Sequence, residues 1–124
     1  MENIQKSEVM EIIKDFPIRP RFNQVLITLN SLKEDGKLVL SNNILSDAQF
    51  VVARGPMAKD IELGEQVLID VERLMVSEEI DNGTSVERVK RVKLDLIEVD
   101  GRSYSFVDDR VIKAIDDRVE EVKL

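Results

Sequence analysis

Ile18-Arg19-Pro20-Arg21-Phe22-Asn23-Gln24-Val25-Leu26-Ile27-Thr28-Leu29 is the stretch at which this chain changes period. Val25, Ile27 and Leu29 alternate with Leu26 and Thr28, and β-branched residues are frequent, so Phe22 to Leu29 reads as a strand. Upstream the spacing is helical. Val9, Ile12, Ile13 and Phe16 fall on one face, Ser7 can cap the helix, Glu8 and Glu11 suit its first turn, and Pro17 stops it. That apolar stripe has two uses: packing on the domain itself, or docking on a neighbouring subunit or partner.

Downstream the β pattern continues. Phe50-Val51-Val52-Ala53 is a strand closed by Arg54-Gly55-Pro56, and a loop from Met57 to Glu62 leads to a turn at Leu63-Gly64-Glu65. A strand from Gln66 to Val71 follows. Leu94 to Val99 alternates again, Asp100-Gly101 is a strong two-residue hairpin signal, and Tyr104-Ser105-Phe106 begins the return strand. Asp108 can cap a final turn running through Val111, Ile112 and Ile115. Short strands at this spacing, with turn signals between them, indicate a small β-barrel or sandwich.

The stretch from Glu72 to Lys93 divides by charge. Its first arm carries Glu72, Glu78, Glu79 and Asp81, and its second Arg88, Lys90, Arg91 and Lys93. Asn82-Gly83 between them is a favourable hairpin turn, so a two-stranded excursion with opposite charges facing across it is expected. The spacing by three of Val86, Val89 and Val92 would also suit a helical turn. The charge split reads more readily as a solvated arm than as a binding patch.

Composition narrows the function. At 124 residues, with 43% apolar and 35% charged residues, the chain is expected to fold as one domain rather than stay disordered. No apolar run approaches the ~20 residues of a membrane-spanning helix. Met1-Glu2-Asn3 opens no signal peptide, so a cytoplasmic protein with no membrane partner is expected. Cysteine and histidine are both absent. That removes thiolate zinc sites, thiol nucleophiles, the usual general base and the commonest metal ligand. No enzyme activity, catalytic residue, metal or cofactor is expected. A net charge of −7, one Tyr, four Phe and no Trp argue against nucleic acid as a partner, since phosphates need Lys and Arg and bases need stacking platforms.

One polar stretch carries a bare apolar triplet: Gly36-Lys37-Leu38-Val39-Leu40-Ser41-Asn42-Asn43. Three adjacent aliphatics in a loop-like context belong either to a buried strand or to a surface kept for a partner. Taken alone, the triplet reads better as a strand.

Read together, the segments resemble the GroES-type co-chaperonins, the small ring-forming caps of the chaperonin system. Ile18-Arg19-Pro20 followed by Val25-Leu26-Ile27 is similar to that family's first strand, and Gly36-Lys37-Leu38-Val39-Leu40 to its mobile-loop pattern. Val51-Val52-Ala53-Arg54-Gly55-Pro56 resembles the strand after the loop, and Leu63-Gly64-Glu65-Gln66-Val67-Leu68 the family's turn and strand. Val99-Asp100-Gly101, through Tyr104 and Phe106 to Asp109-Arg110-Val111-Ile112-Lys113-Ala114-Ile115, resembles the closing hairpin and final helical turn. Order and spacing agree over most of Ile18 to Asp116. The chain departs from the pattern at Asn23, where an acidic residue is usual. It also lacks room between Pro56 and Leu63 for the hairpin that roofs the dome in many members. The Glu72–Lys93 excursion and the N-terminal helix have no counterpart in a minimal member, which suggests a divergent co-chaperonin, viral or otherwise specialised.

The resemblance implies a mainly β fold, a small GroES-like partly open β-barrel with an extra N-terminal helix and an inserted hairpin-like excursion. Residues 1–16 would be the helical extension, and 17–124 the barrel domain with a mobile loop at about 31–49 and an insertion at about 72–93. It implies a homoheptamer that caps an ATP-dependent chaperonin ring of the sixty-kilodalton class, in its nucleotide-bound state, and encloses a folding substrate. Leu38, Val39 and Leu40 would be the chaperonin contact, and Gly36 would permit the backbone turn before it. Burying three aliphatics contributes on the order of 1.5–3 kcal/mol each. Ordering about ten to fifteen loop residues costs as much or more, at roughly 1–2 kcal/mol per residue. One loop should bind weakly, and several on one ring should bind by avidity. The alternative is a β-barrel structural or interaction protein with the same fold and no chaperonin, such as a viral structural component, located in the host cytoplasm.

Overall fold

A computed structural model of the chain describes residues 3–31 and 45–118. Within them lie one helix, α1 (Lys6–Lys14), and eight strands: β1 (Gln24–Thr28), β2 (Ala48–Arg54), β3 (Gln66–Ile69), β4 (Met75–Asp81), β5 (Val86–Val92), β6 (Asp95–Val99), β7 (Arg102–Asp108) and β8 (Ile112–Ile115). Six strands form one antiparallel sheet in the order β6-β7-β1-β2-β3-β8, and β4 and β5 form a second sheet of two. The fold is mainly β, and neither sheet closes into a barrel.

The central strands are covered on both faces, which explains why Val25-Leu26-Ile27 and Phe50-Val51-Val52-Ala53 are runs and not clean alternations. On one face Val25, Ile27, Val51, Val67, Ile69 and Val107 pack with Ala58, Ile61 and Val111 from the connections. On the other, Leu26, Phe50, Val52, Ala53 and Tyr104 pack under α1. The β1–β2 register slips between Leu26 and Ile27, which face Ala53 and Val51, so Val52 is an extra residue of the kind that bends a strand.

The predicted helix exists, and its stripe packs on its own sheet. Val9 is fully buried, Ile12, Ile13 and Phe16 are half-buried around it, and Phe16 meets Tyr104 edge-on at 5.2 Å. Its start lies earlier than Ser7 would place it. Gln5 occupies the cap position and Ser7 sits inside the first turn, because Asn3 and Ile4 are already anchored elsewhere in the fold. A tie from Arg102 to Glu8, at 2.9 Å, spans from β7 to the helix.

Strand ends move in the same way. β1 begins at Gln24 and not Phe22, because Phe22 adopts φ 56° in a turn whose carbonyl accepts from the Met57 N–H. Gly55 lies against that turn, where an added Cβ would collide with the carbonyl oxygen of Phe22. β3 ends at Ile69, and the chain then makes a 3-10 turn over Val71–Leu74. β6 starts at Asp95, one residue after the expected Leu94. Asp108 does cap a turn, accepting from the Arg110 N–H at 2.9 Å. That turn is a short 3-10 turn over Asp109–Val111, and Ile112–Ile115 leave it as strand β8. The edge of β3 offers unpaired backbone groups there, and a ladder on them outweighs a further helical turn.

The charge-split excursion is a hairpin, with β4 and β5 paired without a slip from Met75–Val92 to Asp81–Val86. Val86 and Val92 lie on one face and Val89 on the other, so their spacing by three has no helical meaning. The Asn82 N–H donates to the Ser85 carbonyl, so Gly83 and Thr84, rather than Asn82 and Gly83, are the central turn residues. Gly83 takes φ 83°, a left-handed conformation that favours glycine.

Candidate functional site

Gly36, Leu38, Val39 and Leu40 lie outside the described residues. The structure describes the frame that carries them. The chain leaves β1 through Leu29 and Asn30, and returns to β2 through Leu45 and Ser46. Ser31 and Leu45 form an antiparallel bridge, so the two ends of segment 32–44 are adjacent. The described chain therefore stops at Ser31 and resumes at Leu45 at one place, between β1 and β2.

That place is built from side-chain amides and hydroxyls. Gln49 is fully buried at the start of β2. Its Oε1 accepts from the Thr28 hydroxyl at 2.9 Å and from the Asn30 N–H at 2.7 Å. Its Nε2 donates to the carbonyls of Asn30 and Ser46, both at 2.8 Å. The Thr28 hydroxyl accepts in turn from the Phe50 N–H at 2.9 Å. One side chain thus satisfies backbone groups on both arms where the regular β1–β2 ladder ends, beside the Ser46 N–H bond to the Asn30 carbonyl. Buried polar groups tolerate that position only when each has a partner.

The N-terminal segment completes the clamp. The Asn3 side chain accepts from the Ser31 N–H at 2.9 Å and donates to the Ser31 carbonyl at 2.8 Å, as a neighbouring strand would. Reciprocally, the Asn30 side chain accepts from the Ile4 N–H at 2.8 Å and donates to the Ile4 carbonyl at 3.0 Å. An amide side chain has the same donor and acceptor pair as a peptide group, which makes this substitution possible. The stretch before α1 is therefore a third support for the base of the segment. Asn3, Thr28, Asn30, Ser31, Ser46 and Gln49 are all neutral at ordinary pH, so the clamp itself does not titrate.

None of these residues stood out in the sequence. The one available signal was the placing of amides at strand ends, with Asn30 just after Leu29 and Gln49 just before Phe50. Surface amides at such positions are equally common, so the pattern becomes specific only when the two strand ends meet.

Elsewhere the titratable groups serve the sheet's margins. Arg118 donates from Nε and Nη2 to the Asp116 carboxylate, both at 2.8 Å, and holds its pKa down to about 2. Arg110 holds the Asp108 carboxyl far below the usual carboxylate range by the same kind of side-chain hydrogen bonding. Among the described residues no group of three or more carboxylates is arranged to hold a metal ion, and no helix is long and apolar enough to cross a membrane. Compared with protein families and with curated proteins, the chain shows no significant match.

Proposed function

We propose that this protein is a GroES-type co-chaperonin, in which the open six-stranded sheet is the partly open barrel of one subunit of a ring. The observation that carries the reading is the frame around segment 32–44. Its apolar triplet sits in a connection whose ends are bridged at Ser31 and Leu45 over a buried amide clamp. A rigid base under a segment that meets a partner gives that segment a defined position while leaving its own residues to the partner.

The segments that carry the resemblance also support it by their order in the sheet. Val25-Leu26-Ile27 lies in β1, Val51-Val52-Ala53-Arg54 in β2, and Gln66-Val67-Leu68 in β3 after a turn in which Gly64 takes φ 84°. Asp100 and Gly101, at φ 51° and 78°, turn β6 into β7. On this reading Leu38, Val39 and Leu40 fill an apolar groove of a nucleotide-bound chaperonin, Gly36 allows the approach, and the homoheptamer multiplies a weak contact. The ring acts in the cytoplasm, or in a host cytoplasm if the chain is viral.

One observation favours the alternative of a structural or interaction protein without a chaperonin: the β4–β5 hairpin stands bare, as an interaction arm would. The test is capture by a chaperonin in the presence and absence of nucleotide, comparing wild type with Leu38→Ser. Nucleotide-dependent capture of wild type, lost by at least tenfold in the variant at unchanged oligomer mass, is the expected result. Equal capture of the two proteins, or none of either, overturns the proposal.

A further inference from the structure

The β4–β5 hairpin lacks what usually keeps such an element folded. A two-stranded sheet is marginal in water unless a third strand joins it or one face is packed. Among the described residues neither β4 nor β5 is bonded to a further strand, and nearly every residue of both is exposed. One face carries Val76, Ile80 and Val89, which are 37%, 39% and 36% exposed. Val89 stands opposite Glu78, between Val76 and Ile80 on the facing strand, so the three make one diagonal apolar row. The β4 edge is open as well. The pairing runs without a bulge, and β4 contains neither Pro nor Lys, the usual means of blunting an edge.

Charge indicates what covers these surfaces. β4 carries Glu78, Glu79 and Asp81 and no base, while β5 carries Arg88, Lys90 and Arg91 against the single acid Glu87. Alternating signs along each strand would have kept a lone hairpin equally soluble. Segregation by strand instead gives the hairpin one acidic edge and one basic edge. Within the hairpin the charges meet loosely, Arg88 with Glu79 and Arg91 with Glu78 at 3.6 Å each, and exposed pairs of that kind contribute little.

We infer that the hairpin docks on the same hairpin of a second copy of this chain, β5 of one copy adding edge-to-edge to β4 of the next. Hairpins standing side by side and pointing the same way place β5 antiparallel to the neighbour's β4, as it is to its own. In the same register Arg88 meets a second Glu79, and Val89 meets a second Val76 and Ile80, so the apolar row continues from copy to copy. Like edges repel, which excludes a two-fold pairing of β4 with β4 or β5 with β5. The contact is therefore head-to-tail, the kind that closes into a ring or runs on as a filament. It requires no chaperonin, and it shares with the proposed function only self-association: undiminished assembly without the hairpin overturns this contact and leaves the proposed ring standing.

A charge-exchanged variant tests it. E78K/E79K/R88E/R91E keeps both pairs within the hairpin with their signs reversed, and so leaves the hairpin's own balance intact. Mixed with isotopically heavy wild type and read by native mass spectrometry, each protein should assemble with itself. Mixed oligomers should fall at least tenfold below the statistical share, because every mixed contact sets acid on acid or base on base. A second variant replaces residues 76–91 by a short Gly-Ser turn. It should dissociate at a protein concentration at least tenfold higher than wild type, with the circular dichroism of the main sheet retained. Statistical mixing, undiminished assembly without the hairpin, or a wild type that is monomeric at micromolar concentration would each overturn the inference. Those are the results expected if another part of the chain, or an unrelated protein, covers the hairpin instead.

Discussion

The strand pair β1–β2 and the strand pair β4–β5 are both antiparallel, yet one is buried on two faces and the other bare on two. The buried pair contains a slip in register and the bare pair none. Packing accounts for the difference. Where both faces are covered, side chains must be aimed to fill two cores, and an extra residue at Val52 re-aims them at the cost of a ladder bond. Within the single chain nothing covers the bare pair, so a bulge gains nothing there, and the turn at Gly83 sets the register.

The sharpest way to break this contrast is to truncate one residue in each pair. Leu26→Ala should lower stability by about 2–5 kcal/mol through the cavity it leaves. Val89→Ala, in an isolated subunit, should stay within about 0.5 kcal/mol. Denaturant midpoints measure both, and equal losses would mean that the hairpin is as well packed as the sheet.

A smaller effect is expected at the clamp. Gln49→Ala removes the acceptor of the Asn30 N–H and of the Thr28 hydroxyl and the donor to the Ser46 carbonyl, while the Asn30 carbonyl keeps the Ser46 N–H, a loss of about 1–3 kcal/mol. A denaturant midpoint unchanged from wild type would show that water replaces the amide, and that the base of the segment needs no side chain.

The smallest effect belongs to the margin, and it depends on pH. Asp116 has its carboxyl pKa lowered from 3.8 to about 2, chiefly by the Arg118 hydrogen bonds. A depressed carboxyl adds stability above its unfolded value and loses it as pH falls through the folded value. Between about pH 4 and pH 2 the melting temperature of wild type should therefore fall more steeply than that of Asp116→Asn. Parallel curves would remove this carboxylate from the acid response, leaving the neutral clamp and the sheet margin equally insensitive.

Much of this architecture was legible in local chemistry. Asp100-Gly101 prescribed a hairpin, and the Glu72–Lys93 charge split favoured one while a helical turn stayed open, because a left-handed turn and cross-strand charge pairs depend on residues close in sequence. The helix face Val9, Ile12, Ile13 and Phe16 followed from period alone. The ends of elements were less accessible. Ser7 looked like a cap and Ile112–Ile115 like a helical turn. Distant partners, Asn30 in one case and β3 in the other, decided both.

The candidate site divides in the same way. The apolar triplet at Leu38, Val39 and Leu40 and the glycine before it are visible in the chain as a short pattern in a polar setting. The clamp beneath them is not, because Asn3, Asn30 and Gln49 acquire meaning only when three separate segments converge. Periodicity and turn residues act over a few positions, so sequence alone specified strands β1, β2, β3, β6 and β7, the turn at Asp100-Gly101 and the stripe on α1. The face of the sheet that α1 covers, and the use of amides as substitute strand partners, depend on which backbone groups remain unpaired after the sheet has formed. Only the tertiary structure decides that, since a buried N–H or carbonyl must find a partner wherever the fold brings one.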